Sequence, residues 1–313
     1  MSLIVQDSGL LTLMQTLDPT DSSAGNEYNG ACDRLAHQLA NRLVGNDVAE
    51  PTIEMTLQPA TFKFTEPTII ALSGADFKGI CREREIFTNR IYLFDRGDEL
   101  VFESKSRGNR LYMAVAGGIE VEGSNVLQSG DEVTMRRNYT AHHDEIFNMM
   151  KRRSKVNWGV DTYALVEVYL SDTYHLVKRP DVPEEIYDAL ESGEYTVRNE
   201  KNRVALYIRG PEIDFENAGV EHAGVKGGVH IADNQPVLAL NDFNKHTTAP
   251  QVGTIPSYHM HKLAQKSADS KIHFKCIDAA DAHANLYAHH LWVKSLFKAI
   301  DYKLSKELVK EKM

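Results

Sequence analysis

Thr68-Ile-Ile-Ala-Leu-Ser-Gly-Ala-Asp-Phe77 is the stretch that decides the fold class. Its first five residues form an apolar, β-branched run too short for a helix. A Ser-Gly pair stops it, so it reads as a buried strand that ends in a turn carrying an acid, Asp76. The same pattern surrounds it. Thr61-Phe-Lys-Phe64 lies before it; Arg90-Ile-Tyr-Leu-Phe94, Glu99-Leu-Val-Phe102, Arg110-Leu-Tyr-Met-Ala-Val115 and Glu132-Val-Thr-Met135 lie after it. Turns recur about every ten residues, the rhythm of small sandwiches and barrels. Gly97-Asp98 and Gly130-Asp131 each launch a strand, and Ala268-Asp-Ser270 precedes another at Lys271 to Ile277, a hint of a duplicated β unit.

Upstream stands the run Tyr28-Asn-Gly-Ala-Cys-Asp-Arg-Leu-Ala-His-Gln-Leu-Ala-Asn-Arg-Leu-Val-Gly-Asn46. Asp33 has the chemistry of an N-cap, Gly45 with Asn46 that of a left-handed stop, and Leu35, Leu39 and Leu43 make one apolar stripe. A short helix with such a stripe needs a seat, and the strands from Ile53 onward supply one. Leu3 to Val5 and Leu10 to Met14 read as two further strands, and Asp18 to Asn26 as a loop.

A chain of 313 residues exceeds the usual size of one core, so two domains are expected, 1–138 and 139–313. Asn138 to Gly159 is polar without a clean period and reads as the connector. Beyond it come strands at Ala164 to Leu170, Tyr195 to Val197, Arg203 to Ile208, Val229 to Ile231, Val237 to Leu240 and Lys271 to Ile277. A helix starts at Pro183, and a long one covers Ala279 to Lys312. Packing on the second domain is the plain reading of that last helix, and a contact between subunits the sharper one.

Composition narrows the function. A net charge of −9, from 35 basic and 44 acidic residues, does not favour a nucleic-acid or anionic-membrane surface. Cys32, Cys81 and Cys276 are odd in number and far apart, which fits reduced thiols in a cytoplasmic protein. Gly219 to Lys226 is the nearest approach to a phosphate loop, and Val225 breaks it. The thirteen histidines show no metal-ligand spacing; His259 and His261 alternate along what reads as an extended or loop segment, and no metal is expected. Ala116-Gly-Gly-Ile119 ends a strand with two glycines, as a tight corner requires, or a backbone that a ligand approaches closely.

Several ordered blocks resemble the carboxyltransferase A/B subdomain family, which includes the C subunit of 5-oxoprolinase, allophanate hydrolase subunit 2 and KipA-like proteins. They are Gly9-Leu-Leu-Thr12, Gly30-Ala-Cys-Asp-Arg34, Leu39-Ala-Asn-Arg-Leu-Val-Gly-Asn46, Ala71-Leu-Ser-Gly-Ala-Asp-Phe77 and Arg110-Leu-Tyr-Met-Ala-Val-Ala-Gly-Gly118. In the second half, Lys201-Asn-Arg-Val-Ala-Leu-Tyr-Ile-Arg-Gly-Pro211 is similar to a family motif but has Tyr207 in place of its second arginine. Gly227-Gly-Val-His-Ile231 puts His230 where the family has glutamine, and Asp242 to Pro250 matches the family's loop at its ends only. Ile119 to Gly130 replaces a family loop rich in polar donors. Each donor lost from an oxyanion site removes about 3 kcal/mol of stabilisation.

The resemblance implies a mainly β protein of two cyclophilin-like β-barrel subdomains with a few helices, the long C-terminal one among them. It implies one component of a 5-oxoprolinase-like, ATP-dependent hydrolase of cyclic amide C–N bonds. Such a component acts with a companion C/D-type chain (the B subunit of 5-oxoprolinase, or a KipI-like protein) and not alone. The alternatives are a decayed KipA-like regulatory protein, or an allophanate hydrolase subunit 2-like carboxyltransferase served by a biotin carrier. On the first reading Arg203 grips a substrate carboxylate bidentately, Asp76 and Asp242 orient groups or act as base, and His230 moves a proton; Asn202, Gly117, Gly118 and Thr247 bind a small amide or carboxylate.

Overall fold

The computed structural model describes residues 2–18, 30–103, 107–136, 138–153, 156, 158–160, 165, 168–199, 203–215, 222–243 and 246–310. The loop expected at Asp18 to Asn26 therefore lies almost wholly outside the described residues, as do Tyr28 and Asn202. The chain divides into two compact units, Met1–Leu165 with Lys294–Met313, and Val166–Val293.

In the first unit the chain runs β1 (Ser2–Asp7), β2 (Leu11–Gln15), α1 (Arg34–Val44), β3 (Thr52–Thr56), β4 (Thr61–Phe64), β5 (Thr68–Asp76), β6 (Gly79–Cys81), β7 (Arg84–Ile86), β8 (Arg90–Phe94), β9 (Glu99–Phe102), β10 (Arg107–Val115), β11 (Glu132–Thr134) and α2 (Ala141–Arg153). One sheet has the order β11-β1-β4-β9-β6-β7 and the other β2-β3-β10-β5-β8. Inward side chains from both make one core, with Phe64 and Phe94 stacked at 4.4 Å. The deciding strand β5 is central, paired with β10 and β8, and for that reason it lacks the polar alternation of a half-exposed strand.

Helix α1 lies on this β structure. The Asp33 carboxylate accepts the Ala36 N–H at 2.9 Å, and Gly45 closes the helix at φ +84°. Leu39 and Leu43 are fully buried, a gain of about 1.5–3 kcal/mol each. A buried polar knot ties its entry to the sheet: Tyr112 donates to Glu54 Oε2 at 2.6 Å and accepts the Asp33 N–H at 2.8 Å, while the Cys32 N–H donates to the same Glu54 oxygen. Burial, with the neighbouring Glu54 charge, holds the Tyr112 phenol well above its ordinary pKa, so it remains a donor.

The expected polar connector is instead a helix. His143, Ile146, Met149 and Met150 of α2 are buried, at spacings that follow a helical face; the charged residues between them hide that period when the segment is read as composition.

The second unit contains β12 (Thr173–Lys178), α3 (Glu184–Ser192), β13 (Tyr195–Val197), β14 (Ala205–Arg209), β15 (His222–Ala223), β16 (Gly228–Ala232), β17 (Gln235–Ala239), β18 (His246–Thr247), β19 (Gln251–Thr254), α4 (Ser257–Ala264) and β20 (Lys271–Ile277). Seven strands close a barrel in the order β12-β19-β16-β17-β14-β13-β20. Closure leaves no edge between them and surrounds a core that includes Tyr174, Leu176, Tyr195, Val229, Leu238 and Phe274. The described residues of the segment expected as a strand at 164–170, Leu165 and Val168 to Leu170, are helical.

Helix α5 (Ala279–Lys310) falls in the second unit as far as Val293 and in the first unit from Lys294. In that first-unit part Ile300, Leu304 and Leu308 are buried, and Asp301 pairs with Arg42 of α1. The expectation that the whole helix would pack on the second domain is corrected for this part. Residues with helical period show only that a face is apolar, not which surface covers it. Among the described residues no helix is long and apolar enough to cross a membrane.

Candidate functional site

Arg203 precedes β14, and Asp242 and Phe243 follow β17. The Leu240 N–H donates to Val204 O and the Asp242 N–H to Arg203 O, so the two strand ends bring the side chains together. Arg203 Nε donates to Asp242 Oδ2 at 2.6 Å, and its Nη2 lies 3.5 Å from Oδ1. The side chains are only 1% and 8% exposed. Asp242 thus occupies one edge of the guanidinium, and a bidentate grip on a substrate by that edge is closed in this arrangement. What the geometry provides is a carboxylate with a fixed orientation.

His230 on β16 is buried and stacks on Phe243, rings 5.0 Å apart and 15° from parallel. Its Nδ1 donates to Ala249 O at 3.1 Å, which makes Nε2 the basic nitrogen of the neutral ring. Nε2 lies against Gly228, where a Cβ would come within 2.9 Å of it. Thr247 Oγ1 accepts the Ala249 N–H, steadying the loop that holds His230. Arg203, Asp242, Phe243, His230 and Thr247 therefore form one chain of contacts and neighbours, while Asn202 lies outside the described residues.

Asp76, Gly117 and Gly118 belong to the first unit. Asp76 ends β5 and accepts the Lys78 N–H at 3.2 Å, which fixes the turn. The Gly117 N–H donates to Asn46 Oδ1 and the Gly118 N–H to Val115 O, so both serve the fold. These glycines are required by a tight corner: φ is +82° and +84°, and a Cβ would meet the Tyr139 ring at 2.9 Å and the Glu50 carboxylate at 2.7 Å. Among the described residues no group of three or more His, Cys, Asp or Glu side chains is arranged to hold a metal ion.

The family model for the carboxyltransferase domain, subdomain A and B, matches residues 25–276. The chain belongs to this family. Similarity extends to the C subunit of 5-oxoprolinase from Escherichia coli, 25% identical over 272 residues, covering 80% of this chain and 83% of that protein. In fold the chain is similar to TTHA0988 (TM-score 0.73, 23% identity), of which it spans 55%, and to the urea carboxylase of Kluyveromyces lactis (TM-score 0.77, 17% identity), of which it spans 29%. Each comparison of structures covers most of this chain, 88% and 94%. The match to the family model stops before α5.

Sequence reading missed one group of residues. His259 and His261 do not lie on an extended segment; they sit on α4, two positions apart, near His175 and His289. Pro256 followed by Ser-Tyr-His-Met-His-Lys-Leu-Ala264 was the available signal, since proline favours a helix start.

Proposed function

We propose that this chain is one component of a 5-oxoprolinase-like hydrolase that opens a cyclic amide at the expense of ATP, together with a companion chain of the C/D type. The observation that carries the proposal is the likeness to the C subunit of 5-oxoprolinase, which runs along most of both proteins. The Arg203–Asp242–His230 cluster supports it. Lactam hydrolysis needs water directed at the carbonyl and a proton for the departing nitrogen. Asp242, aligned by Arg203, orients the water, and His230 Nε2 takes the proton that the water loses on attack and passes it to the departing nitrogen; Arg203 is then a positioning residue, and Thr247 acts through the His230 loop. ATP has no phosphate loop in this chain, so the companion is assigned the larger share of its binding. Biotin-dependent carboxyl transfer is the second reading, favoured by the family's carboxyltransferase domain.

Mixing the chain with its companion, ATP and 5-oxoproline tests the first reading. Glutamate and ADP in equal amounts are expected from the mixture and from neither chain alone. Absence of glutamate from the mixture would sink it, and carboxylation of urea by a biotinylated carrier would install the second.

A further inference from the structure

A second cleft in the barrel unit, sharing no residue with the Arg203 cluster, has the chemistry of a ligand site. It measures about 380 Å³ and is lined by Tyr258, His259, His261 and Lys262 of α4, by His289 and Trp292 of α5, and by Val168, Ser171 and Ala288. That volume lies within the roughly 300–1,000 Å³ of small-molecule sites. Its α5 wall lies beyond the part of the chain that matches the family model.

The polar groups here are donors. Lys262 Nζ donates to Thr173 O at 2.9 Å and lies 4.6 Å from the Tyr174 ring, with no carboxylate within ion-pair distance among the described residues. Its neighbour Lys266, by contrast, is paired with Asp172. His259 Nδ1 accepts the His175 N–H at 3.0 Å, so its neutral ring carries the proton on Nε2, where it has no partner among the described residues. His261 is 4% exposed, and its buried Nε2 has no partner either. No lining residue is acidic. The walls are flat: His261 stacks on His289 at 5.4 Å and 18°, His289 lies 5.6 Å from Trp292, and Tyr258 is 6.3 Å from His289.

Lys262 is buried with no ion-pair partner of its own among the described residues, Asp172 being paired with Lys266, and His259 Nε2–H is a further donor in the same cleft; an anion would supply the missing charge to the first and an acceptor to the second. We propose that this cleft binds a small planar carboxylate, its charge on Lys262 and His259 and its flat body against His289 and Trp292. Burial supports the assignment. It keeps His259 and His261 neutral, with pKa values lowered to about 2 and about 3, and together with Lys266 it lowers Lys262 to about 8, a shift that a bound anion would reverse.

The chain has two tryptophans, Trp158 and Trp292, so Trp158→Phe leaves Trp292 as the sole reporter. Benzoate is the probe and benzamide its uncharged counterpart. Saturable quenching of Trp292 by benzoate is expected, with benzamide at least about tenfold weaker and Lys262→Met weakening benzoate by about the same factor. Because Lys262 is buried, the wild-type protein provides a check independent of the variant: the His259 Nε2–H resonance shifts with benzoate and not with benzamide. Equal binding of the two probes, unchanged affinity in a folded Lys262→Met, or no response to benzoate at about 10 mM overturns the proposal, since weaker binding would not distinguish a built site. Urea carboxylation or the lack of lactam hydrolysis bears on the preceding reading and not on this one.

Discussion

Replacing Arg203 by methionine removes one partner of a buried ion pair and leaves the other in place. Asp242 Oδ2 loses a donor at 2.6 Å, and at 8% exposure its carboxylate has little water to turn to. Removal of one ion from such a pair costs about 3–5 kcal/mol, whereas replacing both by apolar residues of similar volume is often close to neutral. Each kcal/mol lowers the midpoint of a unit of this size by about 3–5 °C, so Arg203→Met should unfold at a temperature roughly 10–20 °C lower. The double variant Arg203→Met/Asp242→Leu should recover most of that loss, and Asp242→Leu alone should behave like Arg203→Met. Urea unfolding followed by circular dichroism on all four proteins closes the cycle. A loss below about 1 kcal/mol for Arg203→Met, the value of an exposed pair, would refute the reasoning. So would a double variant no more stable than the single ones.

Two further outcomes follow from the buried polar groups and the helix caps. Gly45→Ala should cost about 1–2 kcal/mol in the same assay, because φ is +84° and the new Cβ would stand 3.0 Å from the His142 ring; an unchanged midpoint would remove the role given to that cap. Burial lowers His37 to about 4 and His261 to about 3, so between those values and the ordinary 6.5 the unfolded chain binds the extra protons. Stability should therefore fall as pH drops through this window, by about 2 kcal/mol per histidine at pH 5, and His261→Phe should reduce the pH dependence of urea unfolding relative to wild type.

Much of the fold was legible because local physics repeats along the chain. Asp33 and Gly45 cap α1 as their side chains demand, and the limits of β13 and β20 match the apolar runs that encode them. Misreadings arose where charge obscures period, as in α2, or where a short helix carries polar residues on its buried face, as α4 does with His261 and Lys262. Arg203, Asp242 and His230 could be nominated from motif resemblance, but residue types alone do not say that Asp242 takes one edge of the guanidinium.

The deciding run from Thr68 to Phe77, with the strands on either side, determined by itself that this is a mainly β protein, and Asp33, Gly45 and the leucine stripe between them determined that a capped helix lies on it. Hydrophobic period and turn chemistry are local, and ten residues carry them. Tertiary structure alone decided that the second unit's seven strands close into a barrel, that the last turns of α5 bury Ile300, Leu304 and Leu308 in the first unit, and that Lys262 shares a cleft with three histidines. Those outcomes depend on which distant surfaces meet, and no local pattern encodes the partner of an apolar face or the absence of a counter-ion around a buried charge.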